Sequence, residues 1–154
     1  MRRCLCVVLL MGFVIASGCS KGPTLVTVTG RVTLDGNALP HMMVNFTPVG
    51  DTQGNGGIAA TDDEGRFTLM SVRSEAGILV GDYKVSFYPA NPPPTKKDDP
   101  ADVVASPKRG NVPPAFLNAN DSPLRVTIPD SGGFVAIRLT KSGEGSTAKF
   151  EPKE

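Results

Sequence analysis

Tryptophan is missing from this chain, histidine occurs once, at His41, and cysteine only at Cys4, Cys6 and Cys19. Each shortage removes a class of function. Zinc hydrolysis needs clustered His, Glu or Cys ligands, and a single histidine does not supply them. A serine triad needs a base beside its nucleophile. His41 is the sole candidate for that base, and it follows Pro40 in a loop. The lack of tryptophan weighs against a carbohydrate platform. Basic charge is also scarce, with 16 Lys and Arg against 15 Asp and Glu and no basic cluster. That balance argues against nucleic acid as a partner, because phosphate contacts dominate such binding. The one long apolar run, Leu5 to Ile15, is shorter than the roughly 20 residues that cross a hydrocarbon core.

Arg2 and Arg3 precede that run, and Ala16-Ser17-Gly18-Cys19 follows it at once. A charged start, a short apolar core and small residues at a cut are the marks of export. Residues 1–18 are therefore expected to be a signal peptide, and two cuts compete. Ordinary signal peptidase suits Ala16 and Gly18, which are small and correctly spaced. Against it, Ile15 runs almost directly into the small residues, and the cut would leave an odd thiol on an exported protein. The tetrapeptide resembles the bacterial lipobox, in which small residues precede an obligatory cysteine that receives diacylglycerol on sulfur. Ala16 stands where that motif more often has Leu or Val. The resemblance implies lipidation at Cys19, a tether over residues 19–24, and a membrane as the first partner. Each methylene of the lipid buried in the bilayer contributes about 0.8 kcal/mol. Ser20, in place of Asp, implies the outer membrane under the enteric sorting rule. Cys4 and Cys6 leave with the signal, so Cys19 alone remains and no disulfide forms within the domain.

What the chain has in plenty is turn-forming residues, 17 Gly and 14 Pro, set between short alternating runs. From Leu25, Val26, Val28, Val32 and Leu34 share one face and Thr27, Thr29, Arg31 and Thr33 the other, the period of a half-buried strand. Gly30 falls on the inward face, where a bulge or a close backbone approach is expected. Asp35-Gly36 then makes a turn. Further strands are predicted at Met42 to Thr47, Ile58 to Thr61, Phe67 to Met70, Tyr83 to Tyr88, Leu124 to Ile128 and Val135 to Leu139. About seven short strands with no helical period predict an all-β fold, an antiparallel Greek-key-type β-sandwich over residues 25–140. Within it, the proline-rich connection at 89–123 is expected to be either functional or poorly ordered. The tail at 141–154 has no periodicity and is expected to be disordered.

Val28-x-Gly30-x-Val32, Asp35-Gly36, Leu39-Pro40, Val44-x-Phe46, Thr61-Asp62-Asp63-Glu64-Gly65-Arg66-Phe67 and Gly81-Asp82-Tyr83-Lys84-Val85 follow one another in order. This order resembles the carboxypeptidase regulatory-like domain, a transthyretin-like (prealbumin-like) sandwich. Val112-Pro113-Pro114-Ala115-Phe116 and Ser122-Pro123-Leu124-Arg125-Val126 resemble a late segment of small bacterial lipoproteins that carry this domain, with Phe116 where Tyr is usual. The resemblance implies a fold and no peptidase activity, since fold alone does not give function. Hydroxyisourate hydrolases share the transthyretin-like fold, but their Tyr-Arg-Gly-Ser signature and paired histidines are missing here. Gly50 to Gly57 is not a phosphate cradle, because no Gly-Lys-Ser/Thr follows it. Asp62, Asp63 and Glu64 are weak candidates for a calcium site, with too few oxygens for the 6–8 that calcium takes. The expectation is a non-catalytic, cofactor-free module with a protein, peptide or glycan partner. The rivals are a small hydrolase using His41 with a loop carboxylate, and a passive envelope spacer.

Overall fold

A computed structural model describes residues 24–90 and 112–151. The expected signal peptide, Cys19 with most of its tether, and the middle of the proline-rich connection lie outside the described residues. The strands are β1 (Leu25–Val26), β2 (Val28–Leu34), β3 (Asn37–Ala38), β4 (Met42–Pro48), β5 (Gly57–Ala60) and β6 (Arg66–Thr68). They continue as β7 (Met70–Ser71), β8 (Ile78–Leu79), β9 (Gly81–Pro89), β10 (Arg125–Ile128), β11 (Gly133–Leu139) and β12 (Thr147–Glu151). One sheet runs β10-β9-β4-β5-β7 and the other β12-β11-β2-β3, with β6 also paired to β2. Together they make an all-β sandwich.

Alternation decides which side chains meet between the sheets. Along β4, Met42, Val44 and Phe46 are buried, and along β9, Tyr83, Val85 and Phe87 are. Their registers place Val44 opposite Phe87 and Phe46 opposite Val85. The facing sheet contributes Val28, Val32, Val135, Ile137 and Leu139. Phe46 bridges the layers, its ring 6.2 Å from that of Phe67 and 6.1 Å from that of Tyr83, both tilted. Such tilted pairs add to area burial because ring edges meet ring faces.

Gly30 explains how Phe67 gets there. The two residues lie directly opposite in the β2–β6 register. A Cβ on Gly30 would strike the Phe67 ring and the Val135 carbonyl oxygen. The inward glycine therefore marks a close approach, one of the two outcomes its position predicted.

Several features differ from expectation. The run starting at Leu25 is two strands, because the Thr27 carbonyl turns to accept a hydrogen bond from Gly133 N (3.1 Å). β1 then pairs with β8, and β2 with β11. The β2–β11 pairing is parallel, unlike every other pairing among the described strands. A parallel pair needs a long crossover, and here the strands between them, largely in the opposite sheet, supply it. The tail is not disordered throughout: β12 pairs with β11 and packs Ala148 and Phe150 against the core. The Thr140–Ser146 turn that delivers it is held by Thr140 Oγ1 donating to Glu144 O (2.6 Å) and Thr140 N to Ser146 Oγ (3.0 Å). Nor is the connection structureless after Val112. A 3-10 turn over Pro114–Phe116 buries Phe116 completely, and Ser122 donates its hydroxyl to Val85 O.

Two substitutions test this packing. Phe116→Ala should cost about 3–5 kcal/mol, as for a buried core aromatic. Gly30→Ala should cost about 1–3 kcal/mol through overpacking. Urea unfolding followed by circular dichroism checks both; an unchanged midpoint for Phe116→Ala would place residues 112–116 outside the core.

Candidate functional site

The loops collect at two ends of the sandwich, and the candidate groups divide between them. At one end lie the turn at Asp35-Gly36, the His41 turn and the Asp62–Gly65 hairpin, joined by backbone hydrogen bonds from Val32 N to Gly65 O (2.8 Å) and His41 N to Thr61 O (3.2 Å). At the other lie the chain's entry at Thr24, the glycine-rich loop, the turn between β7 and β8, and the Pro129–Gly133 turn.

His41 has a left-handed backbone (φ 54°), which turns the chain sharply into β4. Thr61 supports that turn from beneath. Its buried hydroxyl donates to Leu39 O (2.8 Å) and accepts from Met42 N (2.9 Å). This brings the one histidine to the hairpin, where His41 Nε2 lies 3.2 Å from Asp63 Oδ1. Both side chains are open to water, 61% and 82% exposed. The contact names the loop carboxylate that the hydrolase rival requires. An exposed pair of this kind contributes at most about 1 kcal/mol. No hydroxyl or thiol is hydrogen-bonded to His41 among the described residues, and a general base works on a proton within hydrogen-bond reach.

The three acidic residues of the hairpin do not converge. Asp62 Oδ1 accepts from Glu64 N (3.0 Å) and Arg66 N (2.7 Å), a turn held by its own first residue. Asp63 points to His41, and the Glu64 carbonyl accepts from Arg31 Nε (3.0 Å). Among the described residues no group of three His, Cys, Asp or Glu is placed to hold a metal ion.

The entry end holds a feature that sequence reasoning missed. An open cleft of about 460 Å³ runs between the loop Gln53–Gly56 on one side and Ser71, Val72, Arg73 and Glu75 on the other, floored by Leu25, Leu79 and Tyr83. Gly56 cannot carry a side chain here, with φ 79° and the Phe46 carbonyl against its Cβ position. The lining offers an apolar floor and one charge of each sign, from Arg73 and Glu75. The one trace of it in the sequence is Val72, an apolar residue of the lining that no predicted strand used.

No family model, no curated protein and no solved structure matches the chain. Among the described residues no helix is long and apolar enough to cross a membrane.

Tyr83 closes the cleft floor. It is fully buried, its hydroxyl donates to Leu79 O (2.7 Å), and burial raises its phenol above the ordinary value of 10.0. A raised folded-state pKa means that this contribution to stability is intact below about pH 10 and is lost as pH climbs through the folded value. In a Tyr88→Phe chain, Tyr83 is the only tyrosine. Its phenolate absorbance should then rise later than that of free tyrosine, with the urea midpoint falling over the same range. Titration at the pH of free tyrosine would contradict the buried hydroxyl.

Proposed function

We propose that this chain is a lipid-anchored protein of the cell envelope whose β-sandwich acts as a binding or structural module and not as an enzyme. One observation carries the proposal: Cys19 directly follows Ala16-Ser17-Gly18 at the end of a short apolar run that begins after Arg2 and Arg3. The resemblance to carboxypeptidase regulatory-like domains supports it. The residues of that resemblance hold structural posts, with Thr61 bridging two loops, Gly65 at φ 74°, and Phe67, Tyr83 and Val85 in the core. A motif spent on scaffolding leaves recognition of a protein, peptide or glycan partner to the loops.

Intact-mass spectrometry of the N-terminus, on protein purified from its own membranes, tests the anchor. The expected mass is that of a chain starting at Cys19 with a diacylglycerol adduct, and Cys19→Ser should move the folded domain from the membrane to the soluble fraction. A chain that starts at unmodified Cys19, or that keeps its signal, would overturn it.

The His41–Asp63 contact favours a second reading, a small exported hydrolase. A His41→Ala chain decides between them. The module predicts unchanged partner capture in a native-membrane cross-linking pull-down and no activity to lose; abolition of a measurable hydrolysis would favour the enzyme.

A further inference from the structure

Four large hydrophobic side chains are markedly exposed among the described residues: Met70, Val72, Val80 and Tyr88. Three of them fall in the stretch from β7 to the start of β9, which wraps the chain's entry. Leu25 pairs with Leu79. Thr24 shares a shallow depression of about 510 Å³ with Thr52, Leu79 and Val80. Val72 and Leu79 flank Leu25 in the neighbouring cleft. The apolar residues thus gather around the point where the polypeptide leaves for Cys19.

Covalent geometry limits how far that point can be from a lipid. Five residues take the chain from Cys19 to Thr24, and at about 3.3–3.6 Å per residue they reach at most about 18 Å. We infer that the entry end of the sandwich, with Val72 and Val80 at its tip and Leu25 and Leu79 behind them, lies against the bilayer that holds the anchor. The His41–Asp63 end then faces away from it. The inference rests on lipidation of Cys19 as proposed above, and its occupant is a lipid surface.

Two isolated valines would not bind a membrane by themselves. A short tether changes this, because it turns the contact into an intramolecular one at millimolar effective concentration. Charge does not supply the contact. Arg73 is offset by Asp51 and Glu75 around the same loops, unlike the basic clusters that read anionic lipid. The contact is therefore apolar and should persist in high salt.

The test uses the lipidated full chain in nanodiscs of phosphatidylethanolamine and phosphatidylglycerol that include a nitroxide-headgroup lipid. Lipidation consumes the Cys19 thiol, so Val72→Cys, Val80→Cys or Glu64→Cys each carries one fluorophore. Quenching at positions 72 and 80 should exceed that at 64 severalfold and remain so in high salt. Equal quenching at both ends, on a chain whose intact mass shows the lipid, would overturn the orientation and leave the anchor standing. A chain without the lipid mass would overturn the anchor, and the orientation with it.

Discussion

Phe67 sits on bare backbone, and much of the sandwich depends on that seat. Its ring lies over Gly30 in one sheet and meets Phe46 from the other, while Phe46 in turn meets Tyr83. Fill the Gly30 position and the ring must move, taking with it the inter-sheet contact that sets the spacing of the two layers. Interiors are packed at crystal-like density, so a displaced ring cannot be absorbed by empty space nearby. The short strand β6 is held to β2 by this seat as much as by its few ladder hydrogen bonds. The hairpin that precedes β6 inherits its position from the same contact. So does the pairing of Asp63 with His41, two loops that meet only because Thr61 and Phe67 are fixed beneath them.

The loops show a division of labour. At the His41 end the polar groups are tied to each other: Asp62 to backbone amides, Asp63 to His41, and Asp35 to Lys141 (3.4 Å). At the entry end the turns instead frame open depressions with apolar floors. Side chains already committed to neighbours have little left for a ligand, whereas uncommitted backbone and apolar surface can still be covered. That contrast leaves the entry end as the one whose apolar surface is still open to be covered.

All seven predicted strands exist, because each carried its own period-two pattern over four or more residues. The missed elements lack that signal. β1, β3, β7 and β8 are two residues long, too short for a period to show; β3 folds straight back on β2, and β1 and β8 owe their existence to each other across half the domain. β12 does alternate Ala148 and Phe150 with Thr147, Lys149 and Glu151, but it has only these two apolar residues and both end half-buried. Phe116 is buried by a single 3-10 turn, which leaves no periodic trace. The site followed the same logic. Asp62 as a turn former was legible locally, whereas the approach of Asp63 to His41 and the cleft between two distant loops depend on long-range packing.

The parallel ladder between β2 and β11 bears on how the chain is made. Its partners, Val28 with Gly133 through to Leu34 with Leu139, are separated by nearly the whole domain. Contacts of that span close slowly, since the entropy of a long loop is lost before any contact rewards it. During synthesis β2 emerges ahead of every strand but β1, and its β11 edge has no native partner until almost the last strand has followed. An edge left open so long is a template for wrong pairing. The polar outward face of β2, with Thr29, Arg31 and Thr33, and the glycine at its centre make the strand a poor aggregation seed while it waits.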